Sequence, residues 1–261
     1  MDYFDRQKRI EGWVQEDWTN STGVCFGVGG LGSVVAINLC RLGIGKLIMF
    51  DYDLVEAHNL NRQLLFGTQD IGIPKVEAAK KNLAFHNLGT VIEGYNLDVV
   101  ENWGSVLQKI VGASVIFNMM DYGDYFDASA QSLALSIGVP LVQGGTYAAS
   151  ANIEFFYQKP CFVCASDSLD SEVCERITPD KIQTLDSLSF LPKNNNPVGL
   201  SNCYLCGLCG MLMCSKYGEW LLNKNKQEPS KISNRTIIYS NTIESFNFDL
   251  EINPACKFCG T

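Results

Sequence analysis

Positive charge is in short supply in this chain. Lysine and arginine number 20 against 28 aspartates and glutamates, for a net charge of −8. Such a surface repels phosphate backbones, which argues against non-specific DNA or RNA binding and leaves room only for a local basic pocket. A long apolar run is also missing. The longest, Val198 to Cys214, falls short of the roughly 20 residues a spanning helix needs, and it contains Ser201, Asn202 and three glycines. It reads as a buried core helix, so no membrane partner is expected. The start, Met-Asp-Tyr-Phe-Asp-Arg, puts acids where a secretory leader carries bases, with no apolar stretch behind them. The expectation is a cytoplasmic, reducing setting. Histidine is scarce, with two residues. His58 reads as a turn residue and His86 as the C-terminal cap of a helix. No internal repeat is visible. What is abundant is apolar: 46% hydrophobic against 18% charged residues marks a globular chain.

The first half alternates strand and helix signals. Gly23–Val28 and Lys46–Phe50 are short apolar strands. Val91–Tyr95, Ser114–Asn118 and Val139–Gln143 continue the series. Gly30–Leu42 has apolar residues at helical spacing, and Pro74 suits the first position of a helix running to Phe85. Alternation at this spacing predicts a parallel sheet with right-handed crossovers. After Gly145 the pattern changes. Ile153–Tyr157 reads as a strand, and Ser166–Asn196 as a long, acidic, partly helical and mobile loop. Cys203–Asn223 is a helix, and Asn234–Ser240 with Ile243–Leu250 form a hairpin around Asn241. One domain over residues 1–261 is expected, with an N-terminal arm at 1–22 and a crossover loop at 165–200. Trp13, Val14 and Trp18 in the arm suggest subunit packing.

Gly27-Val-Gly29-Gly30-Leu-Gly32 follows a strand and opens a helix. Glycines there let a phosphate approach the free N–H groups and positive dipole of the helix start. Asp51 ends the next strand, where an acid meets a ribose hydroxyl. Loop and acid together predict a nucleotide without distinguishing NAD from ATP. Asp53, Asn59-Leu-Asn61-Arg62-Gln63 and Pro74-Lys75 come next. Hydride transfer has no need of cations here. A carboxylate attacking the α-phosphorus of ATP brings two anions together, and Arg62 and Lys75 would neutralise that charge and the departing pyrophosphate. Asp121, past the fourth strand, is placed to hold Mg²⁺.

These residues resemble the adenylation domain shared by ThiF, MoeB, HesA and the eukaryotic ubiquitin-activating enzymes. The carrying motifs are Gly27–Gly32, Asp51-Tyr-Asp53, Asn59-Leu-Asn-Arg62-Gln63, Gly72-Ile-Pro-Lys75 and Asp121. The likeness runs from about Tyr3 to the C-terminus. Gly43 to Asp53 is especially similar to the activating enzyme of the UFM-type modifier. The resemblance implies that Gly30 and Asp51 contact ATP, with Asp51 on the ribose. It implies that Asn59, Arg62, Gln63 and Lys75 line the phosphates and that Asp121 holds the metal. It also implies that Arg6 reaches the neighbouring subunit's ATP in a homodimer. The chain departs from the pattern just before Arg6, where Asp5 replaces the more usual serine or asparagine.

Eleven cysteines remain to be assigned. Cys161-Phe-Val-Cys164 and Cys256-Lys-Phe-Cys259 are two C-x-x-C pairs, which suit a closed four-thiolate structural Zn²⁺ site. Cys203, Cys206 and Cys209 lie on an apolar helical run and read as packing residues. Many relatives carry a nucleophilic cysteine in the crossover loop. Here the matching place, near Val198, has Asn194-Asn195-Asn196-Pro197. Cys174, with Arg176 expected to lower its pKa, and Cys203 are the candidates, beside a mechanism with no covalent intermediate.

The expected fold is Rossmann-like α/β: a mainly parallel open sheet with helices on both faces, a late β-hairpin and a zinc clip. The expected activity is ATP-dependent adenylation of the C-terminal carboxylate of a small ubiquitin-like or sulfur-carrier protein by a homodimer. A peptide-modifying adenylase acting on a natural-product precursor, an NAD-dependent oxidoreductase and an inactive scaffold are the competing readings.

Overall fold

The structure, a computed structural model, describes residues 2–166, 169–192, 200–224, 226, 231–242 and 244–260. A short α1 (Gln15–Thr19) precedes the alternating core of β1 (Thr22–Phe26), α2 (Gly30–Leu42), β2 (Lys46–Phe50), α3 (Lys75–Leu83), β3 (Val91–Tyr95), α4 (Trp103–Lys109), β4 (Val115–Asn118), α5 (Asp124–Ile137) and β5 (Leu141–Tyr147). Then follow β6 (Ser150–Phe156), α6 (Ser171–Arg176), α7 (Cys203–Lys224), β7 (Arg235–Tyr239) and β8 (Glu244–Phe248). The eight strands form one sheet in the order β3-β2-β1-β4-β5-β6-β7-β8. The first five are parallel, and β6 to β8 are antiparallel. This is the Rossmann-like mixed sheet that the strand–helix alternation predicts.

The central parallel strands β1, β2 and β4 bury both faces, which explains their nearly continuous apolar runs. On one face Cys25, Met49 and Phe117 pack against α2 and α7. On the other, Phe26, Phe50 and Ile116 pack against Trp103 of α4 and Phe126 of α5. The chain reverses order between β1 and β4. β1 leads to β2 on one side, and β4 and β5 continue on the other. A crevice opens at the carboxyl edge of the sheet at such a switch point.

Two expectations are corrected. Trp18 is not a subunit contact. It is 2% exposed, stacks on Trp13 at 5.4 Å and meets Tyr217 of α7 edge-on at 5.6 Å. Each such ring pair adds about 0.5–1.5 kcal/mol beyond its buried area. Residues 169–192 are not a loose loop either. Ile177, Ile182, Leu188 and Leu191 are buried, the Trp103 indole donates to Ile182 O at 2.9 Å, and Leu188 N donates to Val100 O at 2.7 Å. Irregular backbone buries these side chains singly, so no periodicity advertises them. Among the described residues no helix is long and apolar enough to cross a membrane.

Candidate active site and metal centre

The crevice at the switch point is a cavity of ≈ 380 Å³. The glycine turn after β1 forms its floor. Gly27 takes φ = 90°, and a Cβ there would stand 3.1 Å from Met119 O. A Cβ on Gly32 would come within 2.3 Å of Gly27 O, so the α2 backbone is packed directly on the turn. Gly32 therefore shapes the turn without lining the cavity, whereas Gly27, Gly29 and Gly30 line it.

Asp51, at the end of β2, clamps this turn. Its carboxylate accepts from Val28 N at 2.7 Å and Asp53 N at 3.0 Å. Burial pushes its pKa up, while Lys75 and these two N–H groups pull the other way. Lys75 opens α3 and is 7% exposed. Its ammonium sits 2.7 Å from Asp53 Oδ2, which offsets the cost of burying the charge. The Arg62 guanidinium is steadied by His58 O at 3.0 Å and Asn61 Oδ1 at 2.9 Å. Gln63 is 3% exposed, and its Oε1 has no hydrogen-bond partner. Asp121 lines the cavity from the exposed β4–α5 turn.

Of the sequence-predicted set, Gly27, Gly29, Gly30, Asp51, Asp53, Arg62, Gln63, Lys75 and Asp121 meet in this one cavity. Asn59 does not line it. Its Oδ1 accepts from Glu56 N at 3.0 Å and shapes the turn that presents Arg62. Arg6 lies elsewhere. Phe4 packs on Gly43, and the Gln7 amide donates to Leu42 O, so the arm sits at the C-terminal end of α2. The glycine turn is at the other end of that 13-residue helix, about 20 Å away at 1.5 Å per residue.

The sequence reading missed two walls. Leu97, Val99, Met120 and Tyr122 make an apolar end. Their places just beyond β3 and β4 were the signal available. Gly144, Gly145, Thr146, Ser201 and Cys206 make the far wall, with Thr146 Oγ1 donating to Ser201 Oγ at 2.8 Å and Cys206 Sγ 3.0 Å from that hydroxyl. No local pattern links β5 to the start of α7.

Behind the β4–α5 turn, the Asn118 amide donates to Asp127 Oδ1 at 2.6 Å. Burial pushes Asp127 up to about 8, helped by Glu154, Asp124 and Asp121 and opposed by Asn118. An unfolded carboxyl titrates near 4, so the native state holds a proton that the unfolded chain has released between roughly pH 4 and 8. This group therefore costs stability progressively as pH rises through that window. The isosteric, uncharged Asp127→Asn variant is expected to match the parent's melting temperature near pH 4 and exceed it at pH 8.5. A gap of the same size at both pH values would refute the raised carboxyl.

The second centre is the thiol cluster. Cys161 Sγ stands 3.8 Å from Cys164 Sγ and 3.6 Å from Cys256 Sγ, and Cys164 Sγ is 3.3 Å from Cys259 Sγ. All four sulfurs lie within 4.8 Å of one another. Zinc bonds of about 2.3 Å in a tetrahedron separate sulfurs by about 3.8 Å, so the cluster fits that ion. Burial and the neighbouring thiols push Cys161 up, and burial first among its causes pushes Cys259 up to about 12. A cation would relieve that mutual repulsion. The expectation that Arg176 lowers the Cys174 pKa is corrected. Burial pushes its thiol up, and Arg176 lies over the Phe190 ring at 3.5 Å. Cys203 is exposed at the start of α7 and does not line the cavity. The expected nucleophile position near Val198 lies outside the described residues. Of the three α7 cysteines read as packing residues, Cys209 is buried, Cys206 is buried at the cavity wall, and the exposed Cys203 corrects that expectation.

A family model described as the ThiF family matches residues 4–258. Ubiquitin-like modifier-activating enzyme 5 of Culex quinquefasciatus is 34% identical over 168 residues, 58% of this chain and 42% of that protein. The enzyme of the same name from Drosophila mojavensis is 54% identical over 86 residues, 32% of this chain and 21% of that one. The chain thus spans less than half the length of these curated relatives. Among solved structures, E. coli MccB with ATP superposes at a TM-score of 0.77 and 20% identity, over 100% of this chain and 75% of that one. The protein PaaA superposes at 0.70 and 19% identity, over 91% of this chain and 75% of that one. At such identities these likenesses establish the fold.

Proposed function

That this chain belongs to the ThiF family is the premise from which we propose an ATP-dependent adenylyltransferase. Its substrate is the C-terminal carboxylate of a small ubiquitin-like protein. The observation that carries this reading is the convergence of Arg62, Lys75 and the glycine turn on one cavity with three carboxylates. The ribose hydrogen-bonds to Asp51, and the base fills the apolar end at Leu97, Val99 and Tyr122. The turn amides, Arg62, Gln63 and Lys75 take the phosphates. Lys75 leaves Asp53 for a phosphate oxygen, and Asp53 remains hydrated. Asp121 would hold Mg²⁺, which spreads charge from the phosphates when bound. The substrate carboxylate attacks the α-phosphorus, the bond to the β-bridging oxygen breaks, and pyrophosphate leaves with the electron pair. Placing both anions in line between fixed cations is the main catalytic contribution.

The sheet supplies a platform for the substrate. Strand alternation puts Tyr147, Tyr239, Phe246 and Phe248 on one uncovered face of β5, β7 and β8, all at least 41% exposed. Aromatic exposure on this scale suits a protein partner. Gly145 lies on the same face and lines the cavity, and a Cβ there would meet nothing within 4 Å. A tail crossing the aromatic face ends over that glycine, which favours a small terminal residue. Arg6 stands too far from its own cavity to serve it, which supports a homodimer in which each arm completes the neighbour's site. Zn²⁺ in the four-cysteine cluster is structural, because a closed site leaves no position for substrate.

ATP–pyrophosphate exchange with ubiquitin-fold proteins ending in glycine, and with short synthetic peptides, tests the proposal. Stimulation by a ubiquitin-fold protein is the expected outcome, and stimulation by peptides alone would move the substrate to that class. Gly145→Val fills open space and should fold. It is expected to lower substrate-dependent exchange by about 10²-fold, the order of cost of misplacing a reacting group by about an ångström, with ATP affinity unchanged. Tight NADH binding without ATP binding would reverse the class.

A further inference from the structure

The loop from Asn59 to Pro74 carries Arg62 and Gln63 at its start and delivers Lys75 at its end. It contains little regular structure beyond a 3-10 turn, Ala57–Asn59, that leads into it and a second, Thr68–Asp70, within it. Something other than helix or sheet hydrogen bonds must fix the distance between those cationic groups. One side chain does so from inside. Asp70 is 0% exposed. Its Oδ2 accepts from Gly67 N at 2.9 Å, from the Asn82 amide at 2.7 Å and from the Gln69 amide at 3.4 Å. Its Oδ1 has no hydrogen-bond partner and lies 3.6 Å from the Lys81 ammonium.

The same Asn82 amide also donates to Leu65 O at 2.7 Å, two residues past Gln63. Asn82 and Lys81 belong to α3, whose first residue is Lys75. The carboxylate therefore ties both the middle and the far end of the loop to the helix that presents the lysine. Burying a full negative charge is costly unless it is held by several donors. A neutral residue would satisfy packing alone at lower cost.

We propose that Asp70 is a positioning residue that sets Arg62 and Gln63 against Lys75 so that all three meet one polyphosphate. The inference rests on the nucleotide reading of the cavity. Asp70 touches no ligand itself. It acts through the loop, so its loss should be felt at the phosphate end and hardly at the ribose end, which Asp51 holds from β2. Asp70→Asn leaves one carbonyl oxygen for the Gly67, Asn82 and Gln69 donors, but it removes the charge that strengthens those bonds and puts an NH2 group in place of Oδ1, beside the Lys81 ammonium.

The test is calorimetric titration of the parent chain and of Asp70→Asn with two probes, MgATP and AMP. MgATP engages the groups at the phosphate end, and AMP lacks the two outer phosphates. MgATP affinity is expected to fall by about tenfold, as for loss of charge assistance on buried hydrogen bonds, and AMP affinity by less than about threefold. Equal weakening of both probes would reduce Asp70 to a general fold-stabilising role and overturn the proposal, as would no change in either. If Asp70→Asn does not fold, Asn82→Ala keeps the carboxylate, removes one of its donors and must show the same split between probes. Absence of binding of either probe to the parent chain would remove the nucleotide reading itself, a result distinct from a parent that binds both and a variant that shows no split.

Discussion

Lys75→Ala is expected to lower ATP–pyrophosphate exchange by about 10²–10³-fold, the scale seen when one preorganised charge-stabilising donor is removed from an active site. The lysine is the less exposed partner of its ion pair, with an 8% exposed side chain against 51% for Asp53. Truncation therefore leaves behind a carboxylate that water can reach. The fold should survive, and circular dichroism and melting temperature should stay close to the parent's. The site, however, keeps Asp51, Asp53 and Asp121 and loses the cation that stands among them. The cavity's excess of carboxylates over cations grows from one to two at the end proposed to receive a triphosphate. Lys75→Arg is expected to recover only part of the loss, because a planar fork does not replace a compact ammonium in a buried position. Exchange undiminished in Lys75→Ala would take this residue out of the mechanism.

The second large effect concerns the metal. Cys161 and Cys164 follow β6, and Cys256 and Cys259 lie near the C-terminus, so the cluster closes a loop of roughly ninety residues that includes α6 and α7. Cross-linking a loop of that length removes about 4–5 kcal/mol of unfolded-state entropy in the simple chain model. With an unfolding entropy near 2.1 cal/mol/K per residue, loss of the link corresponds to a fall in melting temperature of about 8 °C. Cys256→Ser, or chelation of the parent chain, is expected to show that fall, with bound zinc dropping from about one ion per chain to a small fraction as measured by elemental mass spectrometry. The purified parent should carry the ion without supplementation. A chain that purifies without zinc and melts at the same temperature as Cys256→Ser would exclude the clip. Lys257, between the two C-terminal ligands, pairs with Glu175 of α6, so metal loss should also expose residues 170–191 to protease.

Much of the parallel half was legible in the sequence, because short-range physics writes it there. Buried parallel strands need continuous apolar runs, helices need a 3.6-residue period, and a phosphate-binding turn needs glycines at fixed spacing. Val91–Tyr95 and Lys46–Phe50 occupy the residues that pattern predicts. The C-x-x-C pairs are equally local: each brings two thiols together, and the four sulfurs gather in one cluster as the paired motifs predict. Reading β5 as ending at Gln143 cut it short by four residues, since Gly144 and Gly145 are poor strand formers and the strand runs on through them by pairing to β6.

The residues that local rules could not supply share one physical origin. The far wall of the cavity, from Gly145 through Ser201 to Cys206, exists only because α7 packs on α2 and brings its first turn over the glycine loop. The burial of Trp18 and the upward push on the Cys174 thiol follow from what folds over them, and a thiol's pKa depends on that cover more than on its neighbours in the chain. The sequence alone determined which elements form and which chemistry they carry, because hydrogen-bond periodicity and motif spacing act over a few residues. The tertiary structure alone decided which side chains share a cavity, which are sealed away and which acid keeps its proton. Solvent exclusion and electrostatic coupling act between residues that are distant in sequence and become neighbours only when the chain has folded.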